Sequence, residues 1–297
     1  MPSWQRKTRG TRLGYRIFVW VLKTMGVLPA YFLLRFVTFY YLLFPGKAGG
    51  PLFDYFHRRL GYGRLVSFGK MYKNFYLFGQ TLIDKVVLMT GIPNRFSFDF
   101  DGEDQLRAMV DLQRGGLLLS AHIGNWEIAG QLLKRLGTKI RIVMYDGEQQ
   151  QIKEYLASVT GERTAQLILI KNDLSHIYAI HEALRNHELV CIHADRFTEN
   201  TKTLDTVFLG APARFPAGPF VLAARCGVPV SFVFAMKESR LHYHFFASAI
   251  KEYKGLDKET GIQYILTDFA KEMEEKVKKY PEQWYNYYDF WQSGSTP

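Results

Sequence analysis

Residues 116–127 read GLLLSAHIGNWE and place polar side chains directly after an apolar run. The run has the length and composition of a strand that is buried on both faces. His122 follows the run, a turn containing Gly124 comes next, and Glu127 stands at the start of a helical pattern. The stretch therefore predicts a buried strand, a short turn and a helix, with His122 at the carboxyl end of the strand.

Short apolar runs and amphipathic segments alternate along the rest of the chain. Strands are predicted at residues 116–122, 139–145, 165–170, 188–194, 228–236 and 240–248. Helices are predicted at residues 127–137, 149–161, 173–187 and 261–279. Strands separated by helices are typical of an α/β fold, here a mixed, largely parallel central sheet flanked by helices. Functional groups in such sheets cluster at the carboxyl ends of the strands.

The overall composition is that of a folded chain with a basic excess. The 297 residues are 47% hydrophobic, and 38 Lys and Arg stand against 28 Asp and Glu, which gives a net charge of +10. This composition excludes a disordered chain, and the lack of a fixed sequence period excludes repeat architectures. The basic excess favours an anionic partner. Because the charge is scattered and no nucleic-acid-binding motif accompanies it, we expect no nucleic acid as a partner.

Residues 15–44 form an aromatic-rich apolar segment that Lys23 and Arg35 interrupt. Basic residues both precede and follow it, whereas a single span carries its positive charge mainly on the cytoplasmic side. The pattern favours a helix pair lying on an anionic membrane surface. A single span and a buried pair of core helices are the alternatives. We therefore predict a membrane-associated helical segment at residues 1–50 and a second domain at residues 51–297.

His122 and Glu127 are the first candidate catalytic residues. The turn between them allows Glu127 to fold back onto one imidazole nitrogen, fix the tautomer and stabilise the imidazolium. The other nitrogen is then a general base suited to deprotonating a hydroxyl or an amine that attacks a carbonyl. The spacing alone is equally compatible with a hydrogen-bonded structural histidine and a first-turn glutamate favoured by the helix dipole.

The whole phrase is more specific than this spacing. HIGNWE, from His122 to Glu127, resembles the H-x4-(D/E) block of the bacterial lipid A biosynthesis acyltransferases. These are the late, secondary acyltransferases, related to the lysophospholipid and glycerolipid acyltransferases. Further similarities follow in the same order and extend the resemblance over roughly residues 10–292. They are HADRFTEN with Asp195, the segment from Phe208 to Pro219, and Pro281-Glu282-Gln283-Trp284.

The resemblance implies a glycerolipid acyltransferase-like fold and an acyl transfer reaction. A fatty acyl group moves from the thioester of acyl carrier protein or coenzyme A to a hydroxyl or amine of a membrane lipid acceptor. In that reaction His122 is the general base and Glu127 orients it. The acceptor is a lipid A precursor or a related lipid, with an amino-acid lipid or a pigment or polyketide-type acceptor as alternatives. The resemblance also implies a location on the cytoplasmic face of the inner membrane.

Five further residues are candidate substrate contacts. Asn125 and Trp126 belong to the HIGNWE block. Asp195 and Arg196 follow the fourth predicted strand, where they bind a phosphate, order the His122 loop, or form a local salt bridge. Arg214 contacts the phosphopantetheine of an acyl carrier, a lipid phosphate or a developing oxyanion, and the alternative is a solvated loop arginine.

Other chemistries have little support in the sequence. His176 and His181 are five positions apart and do not share a helix face, and no metal-binding motif is present, so we expect no metal. The acyl thioester is a donor substrate, and we expect no cofactor. Cys191 and Cys226 lie in apolar runs, as small buried thiols do. A non-catalytic membrane adaptor, in which His122 has no chemical role, is the alternative from a different class.

Overall fold

The computed structural model describes residues 12–126, 128, 136–145, 166–170, 173–197, 201–253 and 257–291. Their contacts group them into two units. The first unit contains residues 12–96 and Pro281–Asp289. The second contains the described residues from 97 to 280, together with residues 290 and 291. The predicted boundary at residue 50 is a different one, because it separates a membrane-associated segment from the rest of the chain. It stays a prediction.

The first unit is helical. Its helices are α1 (Arg12–Met25), α2 (Val27–Leu43), α3 (Gly49–Asp54) and α4 (Arg64–Thr90). Helix α2 packs on α4 through a stripe of buried residues spaced three or four apart: Val27, Ala30, Tyr31, Leu34 and Thr38. A Cβ atom at Gly79 of α4 would lie 2.6 Å from Leu34 Cδ1, so the glycine permits the close approach of the two helices.

The opposite face of α2 is apolar and exposed. Its exposed side chains are Phe32, Phe36, Phe39, Tyr40 and Leu43. In the described part of the chain no single helix has both the length and the hydropathy of a membrane span. Helix α2 and the following helical stretch Gly46–Arg59 pass such a test only as a pair, bent by 74°. One face of helix α2 is thus buried in the first unit, and the other face is an exposed aromatic surface.

The Pro281–Trp284 segment is part of the core of the first unit. The hydroxyl of Tyr55 donates to the Pro281 carbonyl at 2.9 Å, and Asn74 Nδ2 donates to the carbonyls of Glu282 and Trp284, each at 3.0 Å. The Glu282 carboxylate accepts from Lys70 at 2.5 Å. Because Trp284 is buried against Tyr55, we infer that this segment stabilises the helical unit.

The second unit contains a seven-stranded sheet. Its strands are β1 (Ser97–Asp101), β2 (Gly116–Ser120), β3 (Ile140–Tyr145), β4 (Gln166–Ile170), β5 (Leu189–His193), β8 (Val230–Ser239) and β9 (His242–Ala247), while β6 (Thr203–Phe208) and β7 (Ala211–Pro216) form a separate hairpin. The strand order is β1-β9-β8-β2-β5-β3-β4. All neighbours are parallel except β8 and β9. The predicted mixed, largely parallel sheet flanked by helices is confirmed.

The helices of the second unit bury the central strands. They are α5 (Glu103–Asp111), α6 (Ser175–Arg185), α7 (Ala217–Cys226) and α8 (Lys258–Lys279). One core cluster joins α5 to the sheet through Leu106, Met109, Leu118, Leu136, Ile140, Leu189 and Val233. Burying each large apolar side chain contributes about 1.5–3 kcal/mol. All five residues of β2 are buried, as the apolar run predicted.

The predicted strands within the sheet are confirmed, and no strand end is shifted by more than three residues. The predicted helices at 173–187 and 261–279 correspond to α6 and α8. Those at 127–137 and 149–161 lie wholly or largely outside the described residues. Strand β1 and the β6–β7 hairpin were not predicted. Strand β1 reads SFDFD with its polar residues exposed, so it lacks the apolar run used to find the other strands.

Candidate active site

The site is built where two neighbouring parallel strands end. Strands β2 and β5 pair in parallel, with Ser120 opposite His193 at their last residues. One further hydrogen bond extends the pairing, from the Ala194 amide to the Ser120 carbonyl at 2.9 Å. His122 and Asp195 each come two residues after these strand ends, and the register therefore places them side by side.

Asp195 holds His122 through two hydrogen bonds. The backbone N–H of His122 donates to Oδ2 of Asp195 at 2.9 Å, and the ring nitrogen Nδ1 lies 2.7 Å from Oδ1. The Asp195 side chain is only 1% exposed, and that of His122 is 14% exposed. Both oxygens of one buried carboxylate thus fix the backbone and the ring of the same histidine.

The surroundings keep Asp195 ionised. Burial alone would raise the pKa of this carboxyl group, but the neighbouring His122, which donates to it, and the charge of Arg196 hold that pKa well below its usual range. A carboxylate only accepts hydrogen bonds. Nδ1 of His122 therefore carries the proton of the bond, and Nε2 of the neutral ring carries the lone pair. This is the tautomer that a general base requires.

The loop after His122 is anchored to strand β8. The amide of Asn125 donates to the Ala235 carbonyl at 2.7 Å, and the Asn125 side chain donates to the Tyr243 hydroxyl at 3.2 Å. Gly124 has a φ of 65°, and a Cβ atom there would lie 2.0 Å from the Ala235 oxygen, so the position requires glycine. Asn125, predicted as a substrate contact, is buried in this anchor.

Two aromatic rings lie against the imidazole of His122. The Trp126 ring centroid is 5.9 Å from that of His122, in an edge-to-face arrangement. The ring of His193 is 4.6 Å from His122 and 4.3 Å from Trp126. The sequence motifs do not place His193 in the site. Its only signal is its position at the end of a strand, and that signal depends on knowing that β5 lies beside β2.

His193 is a neutral histidine. Burial lowers its pKa well below the usual range, and the proximity of His122 lowers that pKa further. Its Nε2 is closed off from water and has no hydrogen-bond partner in the described part of the chain. The proton that an ordinary histidine takes up near neutral pH is therefore excluded from this ring in the folded chain.

We expect a stability difference that grows as the pH falls. The pKa of His193 in the folded chain lies below its unfolded value of about 6.5, so below that pH the unfolded chain binds a proton that the folded chain does not. The contribution of His193 to the free energy of unfolding is therefore complete above about pH 6.5 and falls below it by about 1.4 kcal/mol per pH unit. His193→Phe removes this proton uptake. Denaturant titrations at several pH values should show the unfolding free energy of the variant gaining on that of the wild type below about pH 6.5. A difference that stays constant with pH would contradict the assignment.

The remaining predicted residues have different positions. Arg196 follows Asp195, and its charge lowers the pKa of both Asp195 and His193. Arg214 lies on the β6–β7 hairpin, 3.6 Å from Asp205 across the pair, and the structure gives it no contact with His122.

Glu127 lies outside the described residues. Its predicted role as the partner of His122 stays a prediction, and Asp195 is the carboxylate that the structure places on Nδ1.

The two cysteine thiols, those of Cys191 and Cys226, are not among the groups that orient His122. Burial raises the pKa of Cys191 to about 12 and raises the pKa of Cys226 as well. Both thiols therefore stay protonated at neutral pH and are poor nucleophiles. Within the described residues no group of histidine, cysteine and acidic side chains has the geometry of a metal site. The chemistry that the site offers is that of an oriented histidine base.

A family model matches most of the chain. Residues 71–292 match the model of the bacterial lipid A biosynthesis acyltransferase family, and the match includes His122, Asp195 and the Pro281–Trp284 segment. The chain belongs to this family. The resemblance that the sequence motifs indicated is therefore confirmed.

Individual relatives are distant. The phosphatidylinositol mannoside acyltransferase of Mycobacterium tuberculosis is 27% identical over 62% of this chain and 57% of its own length. The protein of the same name in Mycolicibacterium smegmatis is 26% identical over 61% of this chain and 58% of its own length. The matched region thus spans somewhat more than half of the length of these curated relatives.

One solved structure has a weak similarity to the chain. It is the 1-acyl-sn-glycerophosphate acyltransferase of Thermotoga maritima, with 14% sequence identity and a TM-score of 0.39. The similarity covers 84% of this chain and 97% of that one.

Proposed function

We propose that this protein transfers a fatty acyl group from an acyl thioester to a hydroxyl or amine of a lipid acceptor, with His122 as the general base. The observation that carries the proposal is the pair formed by His122 and Asp195 at the adjoining ends of β2 and β5. Membership of an acyltransferase family supports the reaction class. In this proposal Asp195 orients the base. Glu127 is then not the only carboxylate with that role.

The proposed reaction uses Nε2 of His122 twice. Nε2 first takes the proton of the acceptor hydroxyl while the acceptor oxygen forms a bond to the thioester carbonyl carbon. The carbon–sulfur bond then breaks, and the imidazolium returns the proton to the departing thiolate. The carboxylate of Asp195 stabilises the imidazolium between these steps, because it lies 2.7 Å from Nδ1. No covalent acyl-enzyme is needed.

For the donor we propose the thioester of acyl carrier protein or coenzyme A. Acyl carriers and coenzyme A are acidic, and the chain has a net charge of +10. For the acceptor we propose a lipid A precursor or a related lipid. The name of the mycobacterial relatives points to a phosphatidylinositol mannoside as their acceptor. A glycosylated lipid is therefore one of the related lipids that we propose as the acceptor. An amino-acid lipid or a pigment-type acceptor is the alternative.

The test of the function is a direct transfer assay. The purified full-length chain is incubated with a labelled acyl donor, either acyl-coenzyme A or acylated carrier protein, and with lipid extract from cells that lack the protein. Mass spectrometry should detect a lipid that has gained one acyl chain. A non-catalytic adaptor predicts no such product with either donor. Activity that disappears with a chelator and returns with zinc would contradict the proposed metal-free base.

We also propose that the first unit binds the cytoplasmic face of the inner membrane. The exposed aromatic face of α2 is the support, together with an exposed tryptophan, Trp20, on α1. Exposed basic side chains, Arg16, Lys23 and Arg35, occur on the same two helices. Apolar aromatic surface flanked by cations is suited to the headgroup region of an anionic bilayer.

Removing the exposed aromatics should weaken membrane binding. Phe32, Phe36 and Phe39 are 55–63% exposed, so serine at all three should leave the packing of α2 on α4 intact. Each buried phenylalanine contributes about 1.5–3 kcal/mol, so partition into anionic vesicles should fall at least about tenfold. Serine at Leu174 and Tyr178, which are 68% and 75% exposed beside and on α6, is the matched control. Equal flotation of both variants with vesicles would contradict the proposal.

A further inference from the structure

His193 is in contact with the candidate base but has no step in the proposed reaction. Its ring centroid lies 4.6 Å from that of His122, with the two planes inclined by 43°. Its other neighbour is the indole of Trp126, 4.3 Å away in an edge-to-face arrangement. The ring of His193 therefore contacts both Trp126 and His122, and it forms one side of the space in which the imidazole of His122 lies.

The contribution of His193 is the position of its ring. Nε2 is buried without a hydrogen-bond partner in the described part of the chain. A buried nitrogen without a partner does not add to stability. What the residue does provide is a flat, uncharged ring at contact distance from the base.

His122 needs such a contact because Asp195 restrains only one edge of its ring. The bond from Nδ1 to Oδ1 leaves the imidazole able to swing about that bond, and a swing would turn Nε2 away from the acceptor. A misplacement of about 1 Å in a reacting group costs on the order of 10²-fold in rate. A ring that packs beside the imidazole, inclined to it by 43°, restricts this freedom.

We propose that His193 is a positioning residue that holds the imidazole of His122 in its hydrogen bond with Asp195. This inference rests on the proposed function, in which His122 is the base. Strand β5 serves both partners, since it ends at His193 and leads two residues later to Asp195. The same strand end thus supplies the carboxylate for one edge of the imidazole and the ring that packs beside it.

The experiment compares His193→Ala with His193→Phe in the full-length chain. Alanine opens a space beside His122, and kcat for acyl transfer should fall by about 10–100-fold with KM nearly unchanged. Phenylalanine keeps a neutral ring there and should retain most of the activity. His176→Ala is the matched control, because Nδ1 of His176 is likewise buried without a hydrogen-bond partner among the described residues, but it lies on α6 rather than at the strand ends that form the site.

A spectroscopic readout separates this inference from the proposed function. In chains labelled with ¹⁵N-histidine, the hydrogen-bonded Nδ1 proton of His122 should give a downfield signal that His122→Asn removes. That signal should weaken or vanish in His193→Ala and persist in His193→Phe and His176→Ala. If the alanine chain does not fold, His193→Val tests the same loss of the ring with a smaller void.

Each result has one meaning. An unchanged His122 signal in a folded His193→Ala chain overturns the positioning role. So does a His193→Phe chain that is folded but loses signal and activity as fully as His193→Ala. Loss of the signal with full acyl transfer supports the positioning role and instead counts against His122 as the base.

Discussion

His122→Ala is expected to reduce acyl transfer by about 10²–10⁴-fold, the range that general-base assistance supplies. The physical reason is the loss of Nε2. Its lone pair is available because the hydrogen bond to Asp195 keeps the ring proton on Nδ1. The measurement is the rate of acyl transfer by a purified chain at saturating donor. KM should change little, because the base acts in the transition state rather than in substrate binding.

Alanine also leaves a buried carboxylate with one hydrogen bond fewer. Asp195 is 1% exposed, and loss of its Nδ1 donor should cost about 1–3 kcal/mol of stability. His122→Asn is therefore the sharper variant, since its amide still donates to Asp195 but offers no base. It should be as inactive as His122→Ala and closer to the wild type in thermal stability. A folded His122→Asn chain with wild-type transfer would end the proposed mechanism.

Asp195→Asn is expected to cost about as much activity as the loss of His122. The asparagine amide donates where the carboxylate accepts, so it favours a His122 tautomer whose proton is on Nε2 and which has no base to offer. In a Ser-His-Asp triad, where an aspartate orients the histidine in the same way, a wrong tautomer costs about 10⁴ in rate. The backbone N–H of His122 also loses a charged acceptor that lies 2.9 Å away.

The two residues should behave as one unit. A chain with both Asp195→Asn and His122→Asn should be hardly slower than either single variant, because residues that act together are non-additive. Asp268→Asn is the matched control, since Asp268 also pairs with a basic side chain, Lys251 at 2.9 Å, but on α8. Glu127→Gln measures what the second carboxylate contributes. If Glu127→Gln is inactive and Asp195→Asn is nearly normal, Asp195 is not the orienting group.

The sequence by itself determined the local elements. Apolar runs such as residues 116–120 are strands because a continuous apolar segment of that length is stable only when it is buried on both faces. The amphipathic pattern at 261–279 is a helix for the equivalent reason, with Ile265, Phe269 and Met273 on its buried face. The HIGNWE phrase identified His122 and the family, because a motif of six residues is carried by the chain itself.

Only the tertiary structure places Asp195 beside His122. Asp195 is 73 residues away in the sequence, and it reaches Nδ1 because β5 pairs with β2 rather than with another strand. Local periodicity carries no information about strand order, so Asp195 was a candidate for several roles and His193 was not predicted beside His122. The two faces of α2 were undecided for the same reason: both are apolar, and packing on α4 selects the face that is buried.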